Sequence, residues 1–461
     1  MTDSHTIAAI ATPPGVSAIA VLRISGPQAH AIGCRCFAPR RAVSRPRAAC
    51  LHRGWLLDAR DATHVDDALA VWFYAPASYT GEDLLELHVH GGTGVASSAL
   101  ASALHSGARL AAPGEFTRRA YLNRRLDLAQ AEAVADLINA ETGRAARAAV
   151  TRLEGSTGNT LRTLRGALFA QLVAIEAHVD YPDEVPAPDL AVIARCIATQ
   201  RSAIGALLAD AAGAKALRDG IDCVIAGPPN AGKSSLLNAL LEAERAIVSP
   251  LPGTTRDIIE GHVAVEGVVL RLRDTAGLRA TPDAIEAEGV ERAKKALREA
   301  ELGLVVIDAS KPLSEEDRGV LALSHGKTRL LVGNKLDLGG AGVAELRTHA
   351  ERAGEQERMV LGSVLTVGVV DEIRQAIAAL GWGGRVPDAQ NALVANSRQI
   401  EALTRATEAL DQADETLRRG LPSDLLCPDL RDAAAAYGEV TGEDVSAEII
   451  EQIFARFCVG K

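Results

Sequence analysis

From Ile7 to about Leu110, short apolar runs such as Ile19–Ile24 and Leu69–Tyr74 alternate with Gly/Pro turns, and Leu100 to Leu104 carries a helical spacing. That pattern predicts a compact α+β domain. Beyond Pro113-Gly114 the apolar residues fall three and four apart, through Leu126, Ala133, Leu137, Leu153, Leu161, Leu168 and Leu172, as long helices require. The proline-rich stretch from Tyr181 to Pro188 forces a break, after which helical periodicity runs to about Leu217. At Ile221 the texture changes to β-then-α alternation. Asp222–Ala226, Val268–Leu272, Leu302–Ile307 and Arg329–Val332 read as buried strands separated by helical stretches, which argues a parallel sheet with crossover helices. Helical periodicity returns after Gly381, notably over Ser397–Arg419 and Asp429–Tyr437. The expected organisation is an α+β domain over 1–120, a discontinuous all-α domain over 121–217 and 381–461, and an α/β domain inserted between its halves over 218–380.

Composition narrows this picture. The 461 residues suffice for three domains of about 150 residues each, and the 48% hydrophobic content can supply a core to all of them. With 49 Lys and Arg against 59 Asp and Glu the chain carries −10, so no bulk positive field holds nucleic acid, and any RNA contact is local or supplied by a partner. Met1 leads straight into Thr2-Asp3-Ser4-His5 without a signal-peptide pattern, and no apolar run is expected to approach the roughly 18 residues of a bilayer span, so a cytosolic protein without membrane contact is expected. Seven scattered cysteines fit reduced thiols, and Cys34-Arg-Cys36 lacks the second pair of a structural zinc site.

Gly227-Pro-Pro-Asn-Ala-Gly-Lys233-Ser234 fits G-x-x-x-x-G-K-[ST] and sits where that motif works, after the strand ending at Ala226 and before an expected helix over Ser235–Leu241. Its backbone N–H groups can surround phosphates, Lys233 can reach the β- and γ-oxygens, and Ser234 can ligate magnesium. Downstream stand Gly253-Thr254-Thr255-Arg256, Asp274-Thr-Ala-Gly277 and Asn334-Lys335-Leu-Asp337, the last two following strands. Four elements in this order predict a GTPase of the P-loop class. Asp337 can accept from the guanine ring nitrogens, a pattern adenine does not offer. Thr255 can complete the magnesium shell and Asp274 can orient it through water. The nucleotide set is Asn230, Ala231, Gly232, Lys233, Ser234, Ser235, Ser249, Thr254, Thr255, Asp274, Gly277, Asn334, Lys335 and Asp337. Leu278 occupies the place where Ras-like proteins orient the attacking water with glutamine, and an aliphatic chain cannot do that work. Asn230 is either an ordinary loop amide or a ligand for a monovalent cation beside the phosphates.

The Asn-bearing P-loop, Gly253-Thr-Thr-Arg-Asp257, Asp274-Thr-Ala-Gly-Leu-Arg279 and the terminal Phe457-Cys-Val-Gly-Lys461 together resemble the MnmE (TrmE) family of tRNA modification GTPases. Thr12-Pro-Pro-Gly15, Leu22-Arg-Ile-Ser-Gly26, Ser78-Tyr-Thr-Gly-Glu-Asp83, Pro113-Gly-Glu-Phe-Thr117 and Asp127–Val134 are similar to the family pattern as well, so the resemblance spans nearly the whole chain. It implies a folate-binding and dimerising N-terminal domain, a discontinuous helical domain and an inserted GTPase domain. It implies a homodimer that, in a heterotetramer with the FAD-containing partner MnmG, installs an aminomethyl-type group at carbon 5 of the tRNA wobble uridine. The one-carbon unit comes from a 5,10-methylene or 5-formyl tetrahydrofolate derivative. FAD belongs to the partner only, and potassium-dependent pairing of two GTPase domains activates hydrolysis.

Carried residue by residue, the family's potassium ligands fall on Asn230, Ser249, Leu251 and Thr254, its hydrolytic glutamate on Glu286, and a switch-loop role on Arg256. On the residues alone Glu286 and Arg256 read as surface charges. The folate positions fall on Arg23, Glu86, Arg125 and Lys461, which singly read as salt-bridge or surface charges. His88 and His90 read as structural histidines. Cys458, among Phe454, Phe457 and Val459, is either a packed inert thiol or, as the family tail implies, a reactive one.

Four segments depart from the family pattern. Val16-Ser17 replaces Arg-Gly, Asn123-Arg124-Arg125 replaces Asn-Gly-Arg or Asn-Gly-Lys, Gln399 stands where histidine is usual, and Ser363-Val364 replaces Ser-Ala. The last change matters little where a backbone N–H reads guanine. The competing reading is a GTP-switched ribosome-assembly or RNA-binding factor, which lacks the Phe457–Lys461 tail and the folate-like N-terminus. A silent scaffold conflicts with the intact Lys233, Ser234, Thr255 and Asp274.

Overall fold

The computed structural model describes residues 5–41, 45–243, 261–274, 297–351, 357–384, 388 and 390–460. The chain divides into two compact units, one of Met1–Ala135, Gly158–Arg165 and Ala435–Lys461, the other of Asp136–Thr157 and Gly166–Ala434.

The first unit is built on a seven-stranded sheet of order β3-β4-β5-β6-β2-β1-β7. The strands are β1 (Ile7–Ile10), β2 (Ile19–Ser25), β3 (Phe37–Pro39), β4 (Leu51–Leu57), β5 (His64–Phe73), β6 (Leu84–His90) and β7 (Arg109–Leu110). All pairs are antiparallel except β1 with β7. Alternation along β2 and β6 puts Leu22, Ile24, Leu85, Leu87 and Val89 into a core with Ala99 and Ala103 of the helix Thr93–His105. The same alternation sends Arg23 and Glu86 to the opposite face, directly paired in register. The C-terminal segment closes on this unit. A Cβ at Gly114 would lie 2.6 Å from the Phe454 carbonyl oxygen, one at Gly442 2.7 Å from Leu128 Cβ, and one at Gly460 2.5 Å from the Ile10 carbonyl oxygen. All three glycines have positive φ, so neither the space nor the backbone tolerates a side chain.

In the second unit the sheet order is β13-β12-β11-β8-β10-β9. The strands are β8 (Ile221–Ala226), β9 (Gly261–Val265), β10 (Val268–Asp274), β11 (Leu302–Asp308), β12 (Arg329–Asn334) and β13 (Glu357–Leu361). Five strands are parallel, as their continuous apolar runs predict, whereas β9 joins β10 antiparallel through the tight turn Glu266-Gly267, at φ 54 and 84. The Thr142 hydroxyl caps the helix Gly143–Leu153 by accepting from the Ala145 N–H, and donates to the Gly267 carbonyl at 2.8 Å. Arg144 donates to the Glu266 carbonyl, so this helix start clasps the hairpin turn.

The helical stretch is broken at Asp180, as the prolines dictate, and resumes at Leu190 behind an Asp189 cap. One correction to the sequence reading falls here. Leu190–Asp219 spans 30 residues with a mean hydropathy of 1.2 in its most apolar window, long and apolar enough to cross a membrane by length and composition. Its arginines are too sparse to mark it as amphipathic. In the fold Ile193, Ile197, Gln200 and Ile204 form one buried stripe, and Arg201 pairs with Asp411 and Asp414 of the helix Ser397–Arg418 at 2.6 and 3.0 Å. Gln399, at the start of that helix, is buried.

Candidate functional site

The sheet of the second unit gathers the nucleotide motifs at the carboxyl ends of its parallel strands. β8 lies between β11 and β10, so its outgoing loop opens at the point where the strand order reverses, where open α/β sheets bind ligands. Gly227 leaves β8 at φ 155, and a Cβ there would stand 2.2 Å from the Val306 carbonyl oxygen. Asn230 adopts φ 61, Gly232 φ 105, and the helix Lys233–Ala243 then begins. Lys233 is buried, its ammonium donating to the Gly227 and Pro228 carbonyls, each at 2.8 Å. The loop thus carries its cation inside its own curve, where phosphate oxygens can replace the carbonyls as acceptors. Asn230, Ser234 and Ser235 are exposed and Ala231 is buried.

Asn334 joins this loop to the two that follow. Its Nδ2 donates to the Ala231 carbonyl at 2.9 Å, and its Oδ1 accepts from the Val364 N–H at 3.0 Å. The amide is buried, so losing either partner would leave a desolvated polar group. The Val364 N–H expected to read guanine is therefore engaged by Asn334 in this structure. Lys335, at φ 65, donates to the Asn230 carbonyl at 2.5 Å and to Asp308 Oδ2 at 2.9 Å. Asp337 is exposed at the mouth of the same loop. Asp308 was not singled out in the sequence, although its place at the end of a buried strand is a usable signal. Burial works against its charge, but the Ser310 hydroxyl and Lys335 hold its carboxyl below the usual range. Asp274 closes β10, its backbone in register with Ile225 of β8. Ser249, Leu251, Thr254, Thr255, Arg256, Gly277, Leu278 and Glu286 lie outside the described residues, as does Lys461.

In the first unit Arg23 and Glu86 come together: Nε and Nη2 of Arg23 donate to Glu86 Oε1 at 2.9 and 2.6 Å. The guanidinium lies 5.5 Å from the Tyr79 ring and 5.7 Å from that of Phe116, an aromatic frame that holds it flat. Burial pushes the Tyr79 phenol up, against the opposing pull of Thr117 and Arg23, so it stays neutral as it hydrogen-bonds Thr117 at 2.9 Å. Glu86 Oε2 faces His88 Nε2 at 3.7 Å, while His90 is committed to Asp66 at 2.6 Å. Two residues beyond Arg23 on the same face, Ser25 contacts Thr80 and Glu82, and Glu82 continues through Arg119 to Glu115 and Arg109. Sequence reasoning missed this partly buried relay, because Glu82 and Arg119 meet across 37 positions, a separation that carries no local pattern.

Arg125 stands against Gly81, where a Cβ would meet its Cγ at 3.2 Å, and lines a cavity of about 720 Å³ with Tyr121, Asp127, Arg162 and Glu443. Cys458 is exposed, so the packed-thiol reading does not hold: Phe454 and Phe457 pack on each other as tilted rings 5.4 Å apart, leaving the sulfur outside while the Cys458 carbonyl accepts from the Gly114 N–H. Cys34 is exposed and Cys36 buried on their short helix.

Comparisons with known proteins agree with this geometry. A family described as "GTP-binding protein TrmE N-terminus" matches residues 6–125, and one described as "MnmE helical domain" matches residues 128–458. The chain is 42% identical over 469 residues to the tRNA modification GTPase MnmE of Geobacillus kaustophilus, covering 100% of each chain. It is 45% identical over 467 residues to the protein of the same name from Symbiobacterium thermophilum, covering 99% of each.

Proposed function

This chain belongs to the MnmE (TrmE) family of tRNA modification GTPases, and from that premise we propose how its two sites divide the work: GTP hydrolysis at the second unit drives a one-carbon transfer, prepared at the first, to carbon 5 of the tRNA wobble uridine. The working form is a cytoplasmic homodimer joined to the FAD-bearing MnmG, which also supplies much of the tRNA contact that the −10 charge of this chain disfavours. In this proposal folate binding lies in 1–120 and hydrolysis in 218–380.

The observation that carries the reading is Asn334, which ties Ala231 of the phosphate loop to Val364 and so fixes the guanine-reading and phosphate-reading loops as one surface. Asp337 accepts from the guanine ring nitrogens at the mouth of that surface. Lys233 exchanges the Gly227 and Pro228 carbonyls for the β- and γ-oxygens. Ser234, exposed at the first turn of its helix, suits a hard cation, and the exposed Asn230 amide suits a monovalent one, with Ser249, Leu251, Thr254 and Thr255 completing the two sets. Magnesium and potassium, when bound, supply positive charge at the phosphates. Glu286 positions the attacking water in place of the residue that Leu278 cannot provide, with Arg256 in the switch loop.

In the first unit Arg23 and Glu86 fit a tetrahydrofolate derivative. Glu86 spends only Oε1 on Arg23, which leaves Oε2 able to accept from a pterin amino group and ring N–H. Cys458 arrives on the tail that Gly460 packs against Ile10, and Lys461, outside the described residues, is the further cation assigned to the folate.

Steady-state hydrolysis tests the nucleotide part. Turnover of GTP rises sharply when sodium is replaced by potassium, and Asp337→Asn shifts preference toward xanthosine triphosphate, whose oxygen replaces the amino donor. Equal turnover in both salts removes the potassium role, and an unchanged nucleotide preference removes that of Asp337.

A further inference from the structure

The cavity beside Arg125 holds two cations that the folate reading does not use fully. Its carboxylates are already matched: Asp127 Oδ2 takes Arg162 at 3.1 Å while its Oδ1 caps Gln130 at 2.8 Å, and Glu443 is held by Arg165. Among the described residues Arg124 and Arg125 carry no ion pair. The cavity therefore presents two adjacent guanidinium groups with no counter-charge across a volume of about 720 Å³.

Arg124 is placed there at a cost. It follows the helix Glu115–Leu122 at φ 58, its N–H donating to the Tyr121 carbonyl, a helix-ending position that normally takes glycine. An L-residue in this left-handed conformation gives up on the order of 1 kcal/mol. The turn is pinned from outside, since Asn123 Nδ2 donates to the Thr80 carbonyl at 2.7 Å. The chain thus keeps a strained arginine where the local backbone prefers none.

One short turn links Arg125 of the cavity wall to the Arg23–Glu86 pair. Tyr79 lies over Arg23 at one end of the Tyr79–Gly81 turn, and Arg125 packs on Gly81 at the other. Resting on the folate reading above, we propose that this cavity takes the γ-linked glutamate tail of a polyglutamylated folate, with Arg124 as the residue that sets the preference for it. Each glutamate adds one carboxylate to a chain of fixed repeat, and a guanidinium fork accepts a carboxylate through paired hydrogen bonds. An RNA phosphate backbone is the other polyanion such a pair can meet, but a cavity of about 720 Å³ is of the size that encloses a small-molecule tail.

Calorimetric titration of the full chain with monoglutamyl and triglutamyl 5-formyltetrahydrofolate tests this. The triglutamyl form binds the unaltered protein about tenfold tighter, and the ratio shrinks with added salt. In Arg124→Gly, which relieves the positive φ and so favours folding, the ratio falls to about two or less. Equal affinity for the two forms in the unaltered protein, or a ratio unchanged in Arg124→Gly, overturns the proposal while leaving the folate reading in place. Failure of both forms to bind overturns both. A ratio near one combined with tRNA affinity that drops in Arg124→Gly reassigns the arginines to RNA phosphate and overturns the tail reading as well.

Discussion

Gly232 and Asn334 are matched atom to atom: a Cβ on the glycine would lie 2.1 Å from Asn334 Nδ2, so the phosphate loop closes only because position 232 has no side chain. The asparagine uses that opening to reach the Ala231 carbonyl. Gly232→Ala should therefore abolish tight GDP binding. Asn334→Ala should cost about 1–3 kcal/mol of stability by stranding the Ala231 carbonyl and the Val364 N–H. Because the Asn334 truncation also removes the atom that clashes, the double variant should melt higher than the two single losses predict. Strictly additive melting shifts would mean that the two residues do not meet.

Glu86→Ala should lower 5-formyltetrahydrofolate affinity by one to two decades, on the order of 1.5–3 kcal/mol, with GTP affinity barely changed. The loss includes both the acceptor for the pterin and the anchor of Arg23, which sits at 15% side-chain exposure. Arg23→Lys separates them, since an ammonium keeps the charge but loses the flat contact with Tyr79 and Phe116. Folate affinity equal to that of the unaltered protein in Glu86→Ala would remove the carboxylate from the site.

Glu115 gives the first unit a defined acid sensitivity. Burial opposes its ionisation, yet Arg109, the Ala112 N–H and Arg119 outweigh that and hold its carboxyl below the usual range. A depressed carboxyl contributes stability that is complete above the ordinary glutamate value of about 4.3 and is lost as pH falls through the lowered one. Melting should thus be insensitive to this group from pH 7 to about 5 and weaken below about 4. Glu115→Gln removes one of the two carboxylates on the buried Arg119, which keeps Glu82, and should cost about 1–3 kcal/mol near neutrality. The gap between the two proteins should narrow in acid. A constant gap down to pH 3 would contradict the assignment.

The parallel strands were legible because burial on both faces demands continuous apolar runs, as in Leu302–Asp308, and the phosphate loop because its glycines and lysine stand in one local pattern. β9 was not, since Gly261–Val265 is a short edge strand whose pairing comes from the Glu266-Gly267 turn rather than from its own residues. The partnership of Arg23 with Glu86 depends on register across 63 positions, which no local spacing encodes. The Asp308–Lys335 pair and the Glu82–Arg119–Glu115 relay were missed for the same reason. Arg124 was visible as a departure from a glycine, but its meaning required the cavity it faces.

The most direct measurement is wobble-uridine modification reconstituted from this chain, MnmG, unmodified tRNA, GTP, magnesium, potassium, 5,10-methylenetetrahydrofolate as carbon donor and ammonium as nitrogen donor, read by mass analysis of the tRNA nucleosides. The account predicts an aminomethyl-type group at carbon 5 that disappears when GTP is replaced by a non-hydrolysable analogue, when the folate is omitted, or when Glu86→Ala is used. Modification that proceeds undiminished without the folate, or with the analogue, would contradict it.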